Sequence, residues 1–287
     1  MARVVLVHGI GQQYSGPESM LAAWLPPLQD GLTLAQAAGL VQREDVAAAF
    51  YGDLFRPPGR PLSGVAPPPY TAADVTADEA ALLMLWWAAA AEGDPAVVPP
   101  AARTLGRTPA SVQAALRALS GSRFFAGLST RMMIADLKQV SRYFGDDGVR
   151  EQVGQRLRAV IGPDTAVVVA HSLGSVAAYE TLCALAGHPV RVLVTLGSPL
   201  GIANVIFERL RPAPDGGLGR WPGAGDLAWH NIADAGDVVA LVKDLRGPFG
   251  PAVRCHIIHN GSSAHAVARY LNAAETGAAV AAGVRAG

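Results

Sequence analysis

The hydrophobic positions of the chain follow two rhythms. Six short runs are apolar nearly throughout: RVVLVHG (3–9), VAAAFYG (46–52), TAVVVAH (165–171), VRVLVTLG (190–197), LAWHNIAD (227–234) and VRCHIIHN (253–260). Unbroken apolar runs of this length predict strands covered on both faces, because a half-exposed strand would alternate. Between them the apolar residues recur at helical spacing. Over 148–160, Val149, Val153, Leu157 and Val160 make one stripe, with Arg150, Glu151, Arg156 and Arg158 elsewhere. Strands alternating with helices predict βαβ units, hence an α/β fold with a mostly parallel central sheet flanked by helices.

The interval between the second and third runs is far longer than one crossover helix requires. It opens with PPGRPLSGVAPPP (57–69), whose prolines exclude a helix. Thr76 and Glu79 have capping-box spacing ahead of the apolar AALLMLWWAAAA (80–91). Thr108-Pro109 is an N-cap and N1 pair ahead of ASVQAALRAL. Residues 57–146 therefore read as a mainly helical cap or lid inserted into a core domain made of 1–56 and 147–287. A second irregular stretch, RPAPDGGLGRWPGAG (211–225), precedes the fifth run. The tail TGAAVAAGVRAG is expected to fray after the last helix.

Composition narrows the class. The 287 residues are 51% hydrophobic and 16% charged with zero net charge, enough apolar material for a large core. No Lys/Arg run supplies the basic footprint of a nucleic-acid partner. The 80–91 segment is well short of the roughly 20 residues of a spanning helix, and the opening MARVVLVHGIG breaks at His8-Gly9, too early for a signal peptide. Cys183 and Cys255 lie in apolar stretches and are expected to be buried free thiols. These features predict a cytoplasmic protein without a transmembrane segment. There is no HExxH, no cysteine pair and no phosphate-binding glycine loop, so neither metal nor cofactor is expected. Nothing in the chain fixes an oligomeric state.

The chemistry concentrates in VVVAHSLGSVAAYE (167–180). An apolar run ends in His171-Ser172-Leu173-Gly174, and helix-forming residues follow at once. A serine hydroxyl is a weak nucleophile until a base takes its proton, so it must be presented on a turn within reach of a histidine. A strand-to-helix elbow does this, and it requires small residues two before and two after the serine. Those positions hold Ala170 and Gly174. The competing reading is that Ser172 merely caps a helix. The Leu173 amide, at the helix N-terminus, is a candidate oxyanion donor. A second is expected from the loop after the first run, at Ile10, with Gly11 as the alternative. His8 and His171 read as structural. Downstream, Asp237 is the favoured acid, with Asp234 as competitor. His265 is the favoured base, with His259 as competitor. His230 and His256 read as strand residues.

With VLVHGIGQ, AHSLGS, TLGSPLG (195–201), NIADAGDVV and SSAHAVARYL in place, the chain resembles the α/β-hydrolase superfamily, in particular its lipase- and esterase-like serine hydrolases. The resemblance departs from the usual pattern at Ala170, which stands where glycine is usual, and in lacking leading hairpin strands and a proline after the acid. It implies a Ser172-Asp237-His265 triad, Ile10 and Leu173 as oxyanion hole, and an acyl-enzyme formed from an ester or thioester, with a hydrophobic acyl group favoured by the Leu-, Met-, Phe- and Trp-rich segments 80–91 and 123–137. The implied partner is a small-molecule or lipid-like acyl substrate. An amidase, peptidase, acyltransferase or cyclase would use the same triad. The rival from another class is a non-catalytic binding protein on the same scaffold.

Overall fold

All six apolar runs form strands: β1 (Val4–Val7), β2 (Val46–Ala49), β3 (Val167–His171), β4 (Val192–Leu196), β5 (Ala228–Asp234) and β6 (Arg254–Ile258). In this computed structural model, which describes residues 2–56, 70–100, 108–122 and 130–287, they pair in parallel throughout in the order β2-β1-β3-β4-β5-β6. Helices are α1 (Pro17–Leu34), α2 (Ala77–Gly93), α3 (Pro109–Ser120), α4 (Thr130–Gly145), α5 (Asp147–Val160), α6 (Leu173–Ala184), α7 (Arg246–Phe249), α8 (Val267–Leu271) and α9 (Ala274–Ala286).

Alternate strand residues enter two separate cores. Val5, Val7, Val168, Ala170, Leu193 and Trp229 pack with α2 to α6 on one face. Val4, Leu6, Val167, Val169, Val194 and Ile232 pack with α1, α8 and α9 on the other. Burial on both sides is why the runs are apolar throughout. From β1 the chain crosses to β2 at one edge, then returns to place β3 on the other side of β1. The crossover direction reverses there, the position at which open α/β sheets generally bind ligands.

The insertion contributes three described helices. Thr76 and Glu79 cap α2 reciprocally, the Thr76 N–H donating to Glu79 Oε2 at 2.8 Å. Thr108 caps α3, with Pro109 at its first position. Leu82, Leu83, Met84, Trp86 and Trp87 of α2 are buried in the core beneath α3 and α4. These apolar side chains of α2 therefore pack the insertion against the sheet core. Residues 57–69 and 123–129 lie outside the described residues.

Two expectations, on the tail and on the burial of the cysteines, are corrected. The C-terminal tail does not fray: α9 runs to Ala286, with Thr276, Gly277, Ala279, Val280, Gly283 and Val284 buried. Its small residues allow a close crossing with α1, where a Cβ on Gly277 would strike the Gly31 carbonyl. The Ala/Gly composition that resembles a loose end is what lets this helix approach. Arg150, placed off the apolar stripe of α5, is also buried. Its guanidinium grips the Glu180 carboxylate with two nitrogens, Nε at 2.9 Å. Tyr143 Oη donates to Glu180 Oε2 at 2.6 Å, and the Arg211 N–H to Oε1 at 3.0 Å. This cluster ties α4 and α5 to α6. The cysteines are free as expected, but only half-buried.

Two substitutions test this packing by urea-unfolding midpoints. Gly277→Ala is expected to destabilise by about 1–3 kcal/mol through overpacking, whereas Gly225→Ala, whose added methyl meets open space, is expected to be near neutral. Glu180→Gln is expected to cost about 3 kcal/mol because it leaves the Arg150 charge buried without its counter-ion.

Candidate active site

Ser172 lies one residue beyond β3 and opens α6. Its backbone has φ +53 and ψ −129, a conformation a side-chain-bearing residue seldom adopts. Its N–H donates to the Leu196 carbonyl at 2.9 Å, continuing the sheet. Its side chain accepts no helix-capping bond, so capping does not explain it. Two glycines make room for the turn. A Cβ on Gly9 would sit 2.6 Å from Ser172 Cβ, and one on Gly174 would strike the His8 carbonyl. The elbow and the loop after β1 are thus pressed together backbone to backbone.

The structure brings Ser172, His265 and Asp237 into one line. His265 Nε2 lies 3.0 Å from Ser172 Oγ, and His265 Nδ1 lies 2.7 Å from Asp237 Oδ2. A carboxylate only accepts, so Nδ1 carries the proton and Nε2 is left to accept from the serine hydroxyl. Asp237 is fully buried. Its Oδ2 also accepts from Tyr270 Oη at 2.7 Å, and Oδ1 from the Val239 N–H at 2.9 Å. Burial by itself would raise its pKa, but His265, Tyr270 and the Val239 amide outweigh burial and hold the carboxyl below its ordinary value. The residue is ionised and oriented at neutral pH.

The competing residues do other work. Asp234 accepts from the Gly236 N–H at 2.7 Å and from the Asn260 N–H, bracing the loops after β5 and β6. His259 is exposed and has no hydrogen-bond partner among the described residues. The Gly11 amide, the alternative oxyanion donor, is occupied: it donates to Gln139 Oε1 of α4 at 3.2 Å. Ile10 is partly buried, and its N–H has no acceptor among the described residues. Leu173 begins α6, where the first amides have no partner inside the helix. His230 and His256 stack at the sheet edge, their ring centroids 5.3 Å apart.

Further residues complete the site. Tyr270 bridges the two aspartates, accepting the Asp234 N–H at 2.8 Å while donating to Asp237. Gly197, at the end of β4 with φ +54, leaves space that a Cβ would take 2.8 Å from Asp237 Oδ2 and 3.1 Å from His265 Nδ1. His171 joins the site through the His265 backbone. Its Nε2 donates to the His265 carbonyl at 3.0 Å, and the two rings lie 4.6 Å apart. Burial, with His265 adding to it, lowers His171 to about 3. His8 accepts the Tyr51 N–H at Nε2 and reaches the Gly9 carbonyl through Nδ1 at 2.7 Å. Burial lowers it to about 4 against a partial opposing pull from the Gly9 carbonyl. Of these, Gly197 had a signal in TLGSPLG, and His8 and His171 bond backbone groups as structural histidines do; Tyr270 gave no sequence indication of the aspartates it would meet.

Among the described residues no group of His, Cys, Asp and Glu could hold a metal ion, and no helix is long and apolar enough to cross a membrane. No protein-family model, curated protein or solved structure matches the chain.

The buried histidines set an acid limit. His8 titrates near 6.5 when unfolded and near 4 when folded, so between these values the unfolded chain binds more protons and stability falls as pH falls. Unfolding midpoints measured from about pH 7 to about pH 5 are expected to lose about 1–2 kcal/mol through His8 alone. His8→Gln is expected to flatten that slope even if it lowers stability at neutral pH.

Proposed function

We propose that this chain is a serine hydrolase of the α/β-hydrolase kind, cleaving esters or thioesters through an acyl-enzyme. The observation that carries the reading is the continuous Ser172-His265-Asp237 relay, with the serine strained on an elbow at the switch point of a parallel sheet. Elbow, base and acid each follow a different strand, and capping or packing alone explains none of their mutual distances.

In this reading His265 Nε2 takes the Ser172 proton as Oγ attacks the substrate carbonyl carbon. The carbonyl π electrons move onto oxygen, facing the Leu173 and Ile10 amides near the positive end of α6. Asp237 holds the tautomer and stabilises the imidazolium. The imidazolium then protonates the departing alcohol or thiol as its bond to carbon breaks. Water, deprotonated by His265, repeats the attack and releases the acid and free serine. Amide substrates would follow the same route with a poorer leaving group.

Intact-mass analysis after exposure to a fluorophosphonate tests the reading. One adduct is expected on the wild type and none on Ser172→Ala. A wild type that folds but takes no adduct would sink the proposal. Ester turnover is expected to fall by about 10⁴-fold or more in Ser172→Ala and His265→Ala, and about 10⁴-fold in Asp237→Asn. Gly197→Ala is expected to reduce kcat by at least about tenfold, because its methyl intrudes on the Asp237–His265 contact and a misplacement of about 1 Å costs about 10²-fold.

A further inference from the structure

Helix α4 places a second carboxyl at the candidate site, one the relay does not use. Gln139 and Asp136 lie one turn apart on the helix. Gln139 Oε1 accepts from the Gly11 N–H in the loop that passes against Ser172, and Gln139 Nε2 lies 3.5 Å from Asp136 Oδ1. Asp136 is close enough to His265 for the two charges to interact.

Its neighbours show how unusual its state is. Other acids of the insertion have structural duties: Asp74 caps the turn at Thr71, Glu79 caps α2 and pairs with Lys138 at 2.8 Å, and Asp146 caps α5. Asp136 caps nothing and pairs with no cation among the described residues. The distant Gln139 amide is its one polar contact there. The residue is half-buried, and burial, opposed only by His265, raises its pKa to about 7, so the long Gln139 contact is the one protein donor that its ionised form has among the described residues. A carboxyl placed this way is completed by a donor that arrives with the substrate, and an ammonium is the strongest such donor.

Resting on the serine-hydrolase reading, we propose that Asp136, one helical turn from the Gln139 that engages the loop after β1, is a specificity residue that receives an ammonium group carried by the substrate, making amino-substituted acyl esters or thioesters the preferred class. This departs from the hydrophobic acyl group expected from the apolar segments. Of the α2 side chains that suggested it, Leu82, Leu83, Met84, Trp86 and Trp87 are buried in the core, while Leu85 is exposed. The ammonium is drawn to Asp136 rather than to Asp237, whose carboxylate is sealed beneath His265.

The test uses thioesters of equal acyl length that differ only in a terminal group: β-alanyl against butanoyl, and aminohexanoyl against heptanoyl. For at least one pair, wild type is expected to favour the amino member in kcat/KM. Asp136→Asn is expected to lower the amino-to-alkyl ratio by about 10–100-fold, the range of a charge-assisted hydrogen bond. Fluorophosphonate adduct formation certifies that a variant has an assembled site, and Asp136→Ser replaces Asp136→Asn if the latter takes no adduct. A wild type that forms the adduct but shows no amino preference in either pair overturns the inference alone. So does a variant that keeps the wild-type ratio. A wild type without an adduct removes the hydrolase reading and this inference together.

Discussion

The contact between Gly9 and Ser172 governs the rest of the site. Where β1 and β3 end side by side, one chain must turn into a loop and the other into a helix in the same small space. Gly9 and Gly174 supply it, since a methyl at either would collide with the opposite segment. Ser172 then holds a positive φ because its amide is fixed to Leu196 and α6 begins immediately after it. Strain of this kind costs of order 1–3 kcal/mol and persists only where surrounding packing over-determines the backbone. Here the packing is a strand buried on both faces and a helix whose residues from Leu173 to Leu182 are all buried.

Around that fixed point the polar groups are layered. Asp237 is oriented by a tyrosine hydroxyl and a backbone amide, His265 by Asp237 from one side and by His171 from another. Each partner comes from a different strand end or helix, so the sheet's register sets the geometry. The insertion enters the same network twice. Gln139 takes the Gly11 amide and leaves Ile10 unengaged, while Tyr143 joins the Arg150–Glu180 pair that anchors α6 from below. Helix α4 of the insertion is therefore part of the candidate site's support.

Much of this was legible in the chain. The six strands announced themselves because burial on both faces removes polar alternation, and the capping pairs Thr76/Glu79 and Thr108/Pro109 marked helix starts by local hydrogen-bond logic. Ser172, Asp237 and His265 could be picked out because each stands just past an apolar run. The competing choices could not be settled by spacing: Asp234 and Asp237 differ by three positions, and only the fold shows one bonded to loop amides and the other to an imidazole.

The sequence by itself determined the α/β class, the order of its elements and the few segments able to carry a nucleophile, base and acid, because these depend on local periodicity and turn chemistry. Tertiary structure alone decided that the glycine-rich tail is a packed helix, that Arg150 is a buried ion-pair partner, that Gly11 is occupied by Gln139, and that Asp136 has no cation partner among the described residues. Those outcomes rest on contacts between residues far apart in the chain, whose distances and desolvation no local pattern records.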